Sequence, residues 1–178
     1  DRIVASDLLR VDIHMDNFQI IVRAPTHARL LQAAAIEPDD VVLDIGCATG
    51  YSAAVLAQLA ATVVALECDD TMAETAIDLL AGLKADSSAV VTGDLAAGYP
   101  GQAPYDVIVL EGAVDVVPQA MTGQLGEGGR LVAVITNGGR VGKATLMRRS
   151  HGVVSSSVLF DAAIPPLPGF ENEPGFVF

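Results

Sequence analysis

The chain has 178 residues, 51% of them hydrophobic, and a formal charge of −12. That length and composition fit one domain with a sizeable core and exclude disorder along the whole chain. The charge leaves no basic stripe to displace counterions from a polyanion, which argues against nucleic acid as a partner; acidity of this kind reads as a well-solvated surface.

The chain opens on Asp1 and reads as trimmed or incomplete at that end. No secretory pattern is visible. The longest apolar region, 53–66, is broken by Gln58 and Thr62 and is too short for a membrane span. Cys47 and Cys68 make no disulfide framework, which points to a reducing cytoplasm. With His14, His27 and His151 they show no metal-ligand spacing.

Residues 1–23 lack a clear period and read as an N-terminal arm, the remnant of a longer segment. A main domain is expected over 24–162. Pro25 suits the first turn of a helix, and Leu30, Leu31, Ala34 and Ala35 recur at helical spacing. After a turn at 37–40, Val41 to Ile45 is an almost unbroken apolar run, as in a parallel strand buried on both faces. Gly46 and Gly50 bracket a tight turn, Ser52 to Ala60 forms a helix, and Thr62 to Leu66 is a second strand ending on Glu67. A helix capped by Asp69 or Asp70 runs to about Leu83. Ala89 to Thr92 is a third strand, followed by Gly93-Asp94-Leu95. Tyr105 to Leu110 is a fourth, ending in Glu111-Gly112. Val117 to Leu125 reads as helix, Gly126 to Gly129 as a turn, and Arg130 to Ile135 as a fifth strand. Further strands are expected at Lys143 to Arg149 and Val153 to Phe160. Alternating strands and helices with a strand-rich end predict an α/β sheet finishing antiparallel. The remainder, 163–178, carries four prolines and three phenylalanines and is expected to be an extended tail. Its phenylalanines either dock on their own domain, the favoured reading, or exchange with a second copy in a tail-mediated dimer.

The unit from Val41 to Glu67 is a βαβ crossover with a ligand signal. A carboxylate just past the second strand is where doubly wound folds hold a ribose diol. The turn lacks the dinucleotide fingerprint: Asp44 stands at the strand end and Ala48 replaces a middle glycine. An acid there repels a pyrophosphate but suits an ammonium group or a cation. S-adenosylmethionine carries both an ammonium and a sulfonium, so it is favoured over NAD. A ligand role for Asp44 and Glu67 outweighs that of ordinary wet strand ends by roughly four to one. Cys47 reads as a small filler in contact with ligand, Tyr51 as packing beside the cofactor or equally in the core, and Cys68 as adjoining the ribose site. His27 shares its helix with Arg29 and is expected to be exposed. Lys143, Arg148 and Arg149 read as a solvated strand face.

Three stretches, VVLDIGCATGYSAAVLA, VTGDLAAGYPGQAPYDVIVLEGA and VVPQAMTGQLGEGGRLVAVI, together resemble the protein-L-isoaspartate O-methyltransferases. The resemblance implies a Rossmann-like seven-stranded methyltransferase sheet with helices on both faces and a modified arrangement of the last strands. It also implies methyl transfer from S-adenosylmethionine to an isoaspartyl carboxylate, a protein repair activity. On it, Asp44, Gly46, Cys47, Ala48, Thr49 and Gly50 line the methionine portion. Glu67 takes the ribose hydroxyls, Gly93, Asp94 and Leu95 flank the adenine, and Glu111 and Gly112 close the site. In that family a T-I-S-x-P segment brings a hydroxyl residue beside the cofactor. Here the stretch is Ile21-Val22-Arg23-Ala24-Pro25, so Arg23 stands at the serine position and no catalytic residue is assigned. The other readings are methyl transfer to another small acceptor, and a cofactor-binding domain that has lost transfer.

Overall fold

The computed structural model describes residues 24–139 and 141–170. The expected arm 1–23, with Arg23, and the phenylalanines Phe176 and Phe178 therefore lie outside the described residues. Helix α1 (Ala24–Ala34) leads into β1 (Val41–Ile45), α2 (Tyr51–Leu56), β2 (Thr62–Glu67), α3 (Asp70–Gly82) and β3 (Ser88–Thr92). Two short 3₁₀ turns precede β4 (Tyr105–Val114), and α4 (Gln119–Thr122) precedes β5 (Leu125–Ile135), β6 (Gly142–Ser150) and β7 (Val153–Ala162).

The strands form one seven-stranded sheet in the order β3-β2-β1-β4-β5-β6-β7. The β1–β2, β1–β4, β2–β3 and β4–β5 pairs are parallel, whereas β5–β6 and β6–β7 are antiparallel. The α/β sheet with an antiparallel finish is therefore as expected. β1 lies between β2 and β4, so chain direction across the sheet reverses beside its C-terminal end, where doubly wound sheets open a crevice.

The core has two halves, one on each side of the sheet. Leu30, Leu31 and Ala34 of α1, Ala53 and Leu56 of α2, and Leu80 of α3 pack with Val42, Val63, Val107 and Val132 on one face. Leu43, Ile45, Leu66, Ile108 and Leu131 face the other side, under Met121 of α4 and the downstream residues Leu167 and Phe170. Alternation along each strand sorts these residues, and burial on both faces explains the unbroken apolar runs. At the far end of α1 from the site, the Arg130 guanidinium donates to the Ala34 and Ala35 carbonyls at 2.9 and 2.7 Å and to Asp40 at 2.7 Å. Those bonds satisfy carbonyls that a helix end leaves open.

Four elements differ from expectation. Helix α2 starts at Tyr51 and ends at Leu56, short of the expected Ala60. The helix predicted over Val117–Leu125 is only the single turn α4, held between Pro118 and Gly123. Leu125 instead pairs with Tyr105, and the next pairs are Val107 with Arg130, so Gly126 to Gly129 bulge within β5 where a turn was expected. The fourth strand also does not stop at Leu110. It continues to Val114 because the downstream chain gives it a partner: Ala113 N donates to Pro165 O and Leu167 N to Ala113 O, both at 2.8 Å.

Candidate functional site

The turn after β1 is built from left-handed residues: Gly46, Ala48 and Gly50 have φ of 78°, 49° and 92°. Gly46 N and Cys47 N donate to Leu66 O at 2.9 and 3.3 Å, which ties the turn to the end of β2. A Cβ on Gly46 would meet Leu167 Cδ2 at 2.5 Å, and one on Gly50 would meet the Cβ and Cα of Ala76 at 3.0 and 3.1 Å. Positive φ and close packing both select glycine here.

Glu67 is the organising side chain of the β2 end. It is 5% exposed. Its Oε2 accepts from Ala48 N at 2.8 Å, and its Oε1 from Cys68 N at 2.8 Å and Asp69 N at 3.1 Å. The Cys68 thiol also donates to Oε1 at 3.4 Å, so Oε1 is fully engaged, whereas Oε2 accepts a single bond and keeps capacity for a hydroxyl ligand. Beside it lies a cavity of about 200 Å³ lined by Gly46, Ala48, Cys68, Asp69, Met72 and Leu95, with Leu167 and Pro168 on the remaining side.

A second group of polar residues sits on the α1 face of the sheet, beneath the same turn. Asp44 is fully buried; its Oδ2 accepts from Ser52 Oγ at 2.6 Å, while its Oδ1 has no hydrogen-bond partner. Glu111 Oε1 lies 2.9 Å from His27 Nε2, and both residues are buried. Burial pushes the Asp44 carboxyl well above the usual range, the charges of Glu111 and Glu67 push it further, and Ser52 and His27 oppose them. For His27, burial works against the charged form, but the Glu111 charge and hydrogen bond, with Asp44, outweigh it and raise the imidazole. Burial also raises the Cys47 thiol, reinforced by Asp44, so Cys47 is a packing group and not a nucleophile. The Cys68 thiol is raised too, by burial and by Glu67.

The expected exposure of His27 is thus wrong. Its position with Leu30, Leu31 and Ala34 places it on the inward stripe of α1, a periodicity already present in the sequence. Its helix neighbour Arg29 turns outward and stacks on Phe160 of β7 with 3.5 Å to the ring centroid. Of the other residues singled out from the sequence, Gly46, Ala48, Glu67, Cys68 and Leu95 meet at the cavity. Asp44 and Glu111 lie beneath the turn, Cys47 is a buried residue of the turn, and Tyr51 stands 6.2 Å from the His27 ring. Thr49 occupies the turn itself. Gly93 and Asp94 precede the cavity-lining Leu95 and do not line the cavity themselves; Asp94 is exposed and its Oδ1 caps a 3₁₀ turn by accepting from Ala96 N at 3.0 Å. Gly112 packs against Leu167, where an added Cβ would approach Cγ at 2.6 Å. Ser52, Leu167 and the cavity-lining Asp69, Met72 and Pro168 are residues that sequence reasoning did not assign to the site. Ser52 carried no signal beyond its place in the first turn of a helix, and Leu167 none at all. Among the described residues there is no cluster able to hold a metal ion.

Residues 8–167 match the family model described as protein-L-isoaspartate(D-aspartate) O-methyltransferase. The chain is 37% identical over 143 residues to a protein-L-isoaspartate O-methyltransferase of Roseiflexus castenholzii, covering 80% of this chain and 65% of the relative. It is 47% identical over 100 residues to one from Methanoculleus marisnigri, covering 56% and 46% of the two chains. Among solved structures, a protein-L-isoaspartate O-methyltransferase superposes with a TM-score of 0.76 at 28% identity, over 83% of this chain and 48% of that one. A Plasmodium falciparum structure described as a putative enzyme of that kind in complex with S-adenosyl-L-homocysteine gives 0.71 at 17% identity, over 87% and 78%, a likeness of fold. The chain thus spans under two thirds of the length of these curated relatives.

Proposed function

The chain belongs to the protein-L-isoaspartate(D-aspartate) O-methyltransferase family, and on that premise we propose that it transfers a methyl group from S-adenosylmethionine to an isoaspartyl carboxylate of a protein or peptide. The observation that carries the cofactor half is Asp44 Oδ1, a fully buried carboxylate oxygen without a partner beneath a glycine turn. A pyrophosphate there would meet repulsion, whereas an ammonium donor satisfies both the open oxygen and the charge. Glu67, oriented by three backbone N–H groups, would hold the ribose hydroxyls, and Leu95 would pack on the adenine. Gly93, Asp94 and Gly112 would lie at the edges of the same ligand. Bound in this way, S-adenosylmethionine supplies an electrophilic methyl on a sulfonium centre.

The acceptor carboxylate is ionised at neutral pH, so the reaction needs no general base, and none of the residues in the site has to supply one. What the chain contributes is placement and the exclusion of water, which for an in-line displacement account for a large part of the barrier. Arg23, at the position where the resemblance expects a serine, would hold the acceptor as a bidentate pair. The two free thiols support a reducing, cytoplasmic setting. Phe170 buried on its own domain supports a monomer. Among the described residues no helix is long and apolar enough to cross a membrane.

The test is incubation with methyl-labelled S-adenosylmethionine and paired isoaspartyl and aspartyl peptides. Base-labile label on the isoaspartyl peptide alone is expected. Cofactor binding without transfer to either peptide would reduce the function to binding, and absence of binding would refute the cofactor assignment.

A further inference from the structure

The His27–Glu111 pair has no part in the chemistry above, yet Asp44 is the register partner of Val109, so Glu111 is the next residue of β4 on the face that carries the open Asp44 oxygen. Glu111 extends from β4 on the same face as Val107 and Val109, and His27 reaches it from the inward stripe of α1. The groups that act on Asp44 are Glu111 from β4, His27 from α1 and Glu67 from β2, with the Ser52 hydroxyl from α2. Glu67 is already engaged by backbone N–H groups. Asp44 and Glu111 are therefore two buried acids on one face of neighbouring strands, Glu111 paired with His27 and Asp44 with one oxygen open.

We propose that His27 is a positioning residue: by holding Glu111 in a bonded pair it leaves Asp44 Oδ1 as the open acceptor for the cationic amino-acid end of the ligand. The inference rests on the methyltransferase reading, which supplies that ammonium. Its physical basis is that two neighbouring buried carboxylates do not both stay ionised without a counter-charge; they share a proton. A shared proton would occupy the oxygen that the ammonium must donate to. The imidazole at 2.9 Å gives Glu111 its own partner and removes the competition. If the pair were only core filling, its loss would weaken every ligand of the site alike.

The experiment titrates wild type, His27→Gln, Glu111→Gln and the double variant calorimetrically with S-adenosylhomocysteine and with 5′-methylthioadenosine, the same nucleoside without the amino-acid arm. Thermal midpoints report folding. His27→Gln should weaken S-adenosylhomocysteine by about tenfold or more while 5′-methylthioadenosine changes by less than about twofold. Adding Glu111→Gln, which removes the competing acid, should restore S-adenosylhomocysteine to within about threefold of wild type. Equal weakening of both probes in His27→Gln, or no weakening of either, overturns the proposal. Should His27→Gln not fold, Glu111→Gln alone decides. Retention of S-adenosylhomocysteine within about threefold supports the positioning role, and a selective loss beyond about tenfold makes Glu111 itself the acceptor and overturns it. Wild type binding neither probe is a different result: it removes the methyltransferase reading and this proposal with it.

Discussion

Leu167 sits in a notch with a glycine on either side, and that arrangement makes a quantitative prediction. A Cβ at Gly112 would lie 2.6 Å from Leu167 Cγ, 3.0 Å from its Cδ2 and 3.1 Å from Pro165 O. Gly112→Ala must therefore move either the Leu167 side chain or the segment that bonds Ala113 on both sides, an overpacking cost of about 1–3 kcal/mol. Leu167→Ala empties the notch. Leu167 is only 3% exposed, but the cavity beside it gives the vacated space access to solvent. The cost then falls toward the lower end of the range for buried leucine, about 2–3 kcal/mol. Because the first penalty exists mainly through the second side chain, the double variant should be less destabilised than the sum by about 1–2 kcal/mol. Urea unfolding of the four proteins, with unchanged m-values, measures this cycle. Gly82→Ala is the control: nothing lies within 4 Å of its Cβ position at the end of α3, so a neutral or slightly stabilising effect is expected. Additivity within about 0.5 kcal/mol would refute the seating of Leu167 against Gly112. Since Leu167 also lines the cavity, Gly112→Ala should weaken S-adenosylhomocysteine binding and the double variant should recover part of it.

Glu67→Gln keeps one oxygen for Cys68 N and Asp69 N but turns an amide donor toward Ala48 N, so the buried N–H loses its partner. A stability loss of about 1–3 kcal/mol in denaturant is expected, together with weaker nucleoside binding in calorimetry; wild-type values for both would contradict the role given to Glu67. Asp44 and His27 make stability depend on pH in the same sense. With no ligand bound, the raised Asp44 carboxyl keeps its proton to higher pH than the unfolded chain does, and the ammonium of a bound ligand takes that proton's place. Its contribution is thus complete at acid pH and declines as pH rises toward the folded value. The raised His27 contributes fully below about pH 6.5 and fades as pH climbs through its folded value. Asp44→Asn removes the first component, so its melting midpoint should fall less steeply from acid to neutral pH than that of wild type; equal slopes in scanning calorimetry would reject the assignment. Arg130→Ala leaves the Ala34 and Ala35 carbonyls without this donor and Asp40 Oδ2 with Glu37 N but no counter-charge. That should cost about 2–4 kcal/mol in urea unfolding without a selective change in ligand binding, because the bonds lie at the opposite end of α1 from His27.

Much of the sheet and half of the site could be read from residues adjacent in sequence. The run Val41–Ile45, the glycine turn and the second strand ending on Glu67 follow from hydrophobic runs and backbone requirements that act over a few residues. Glu67 therefore lines the cavity beside the glycine turn. His27 was misread although Leu30, Leu31 and Ala34 shared its period, because a histidine next to an arginine looks solvated until a buried acid is known to face it. Glu111 supplies that acid from 84 residues away. The glycines after Leu125 were read as a turn because composition does not reveal that Tyr105 would draw Leu125 into the sheet.

The sequence by itself determined a βαβ unit with a cation-tolerant glycine turn and a carboxylate at the right distance beyond it, because those features are short-range consequences of φ, hydrophobicity and strand length. Only the tertiary structure decided that β4 runs on to Val114, that Leu167 closes the cavity, and that His27 and Glu111 share a buried bond beside Asp44. Each of those outcomes depends on which distant segment arrives as a partner for an unsatisfied backbone edge or a buried charge, and no local pattern encodes that arrival.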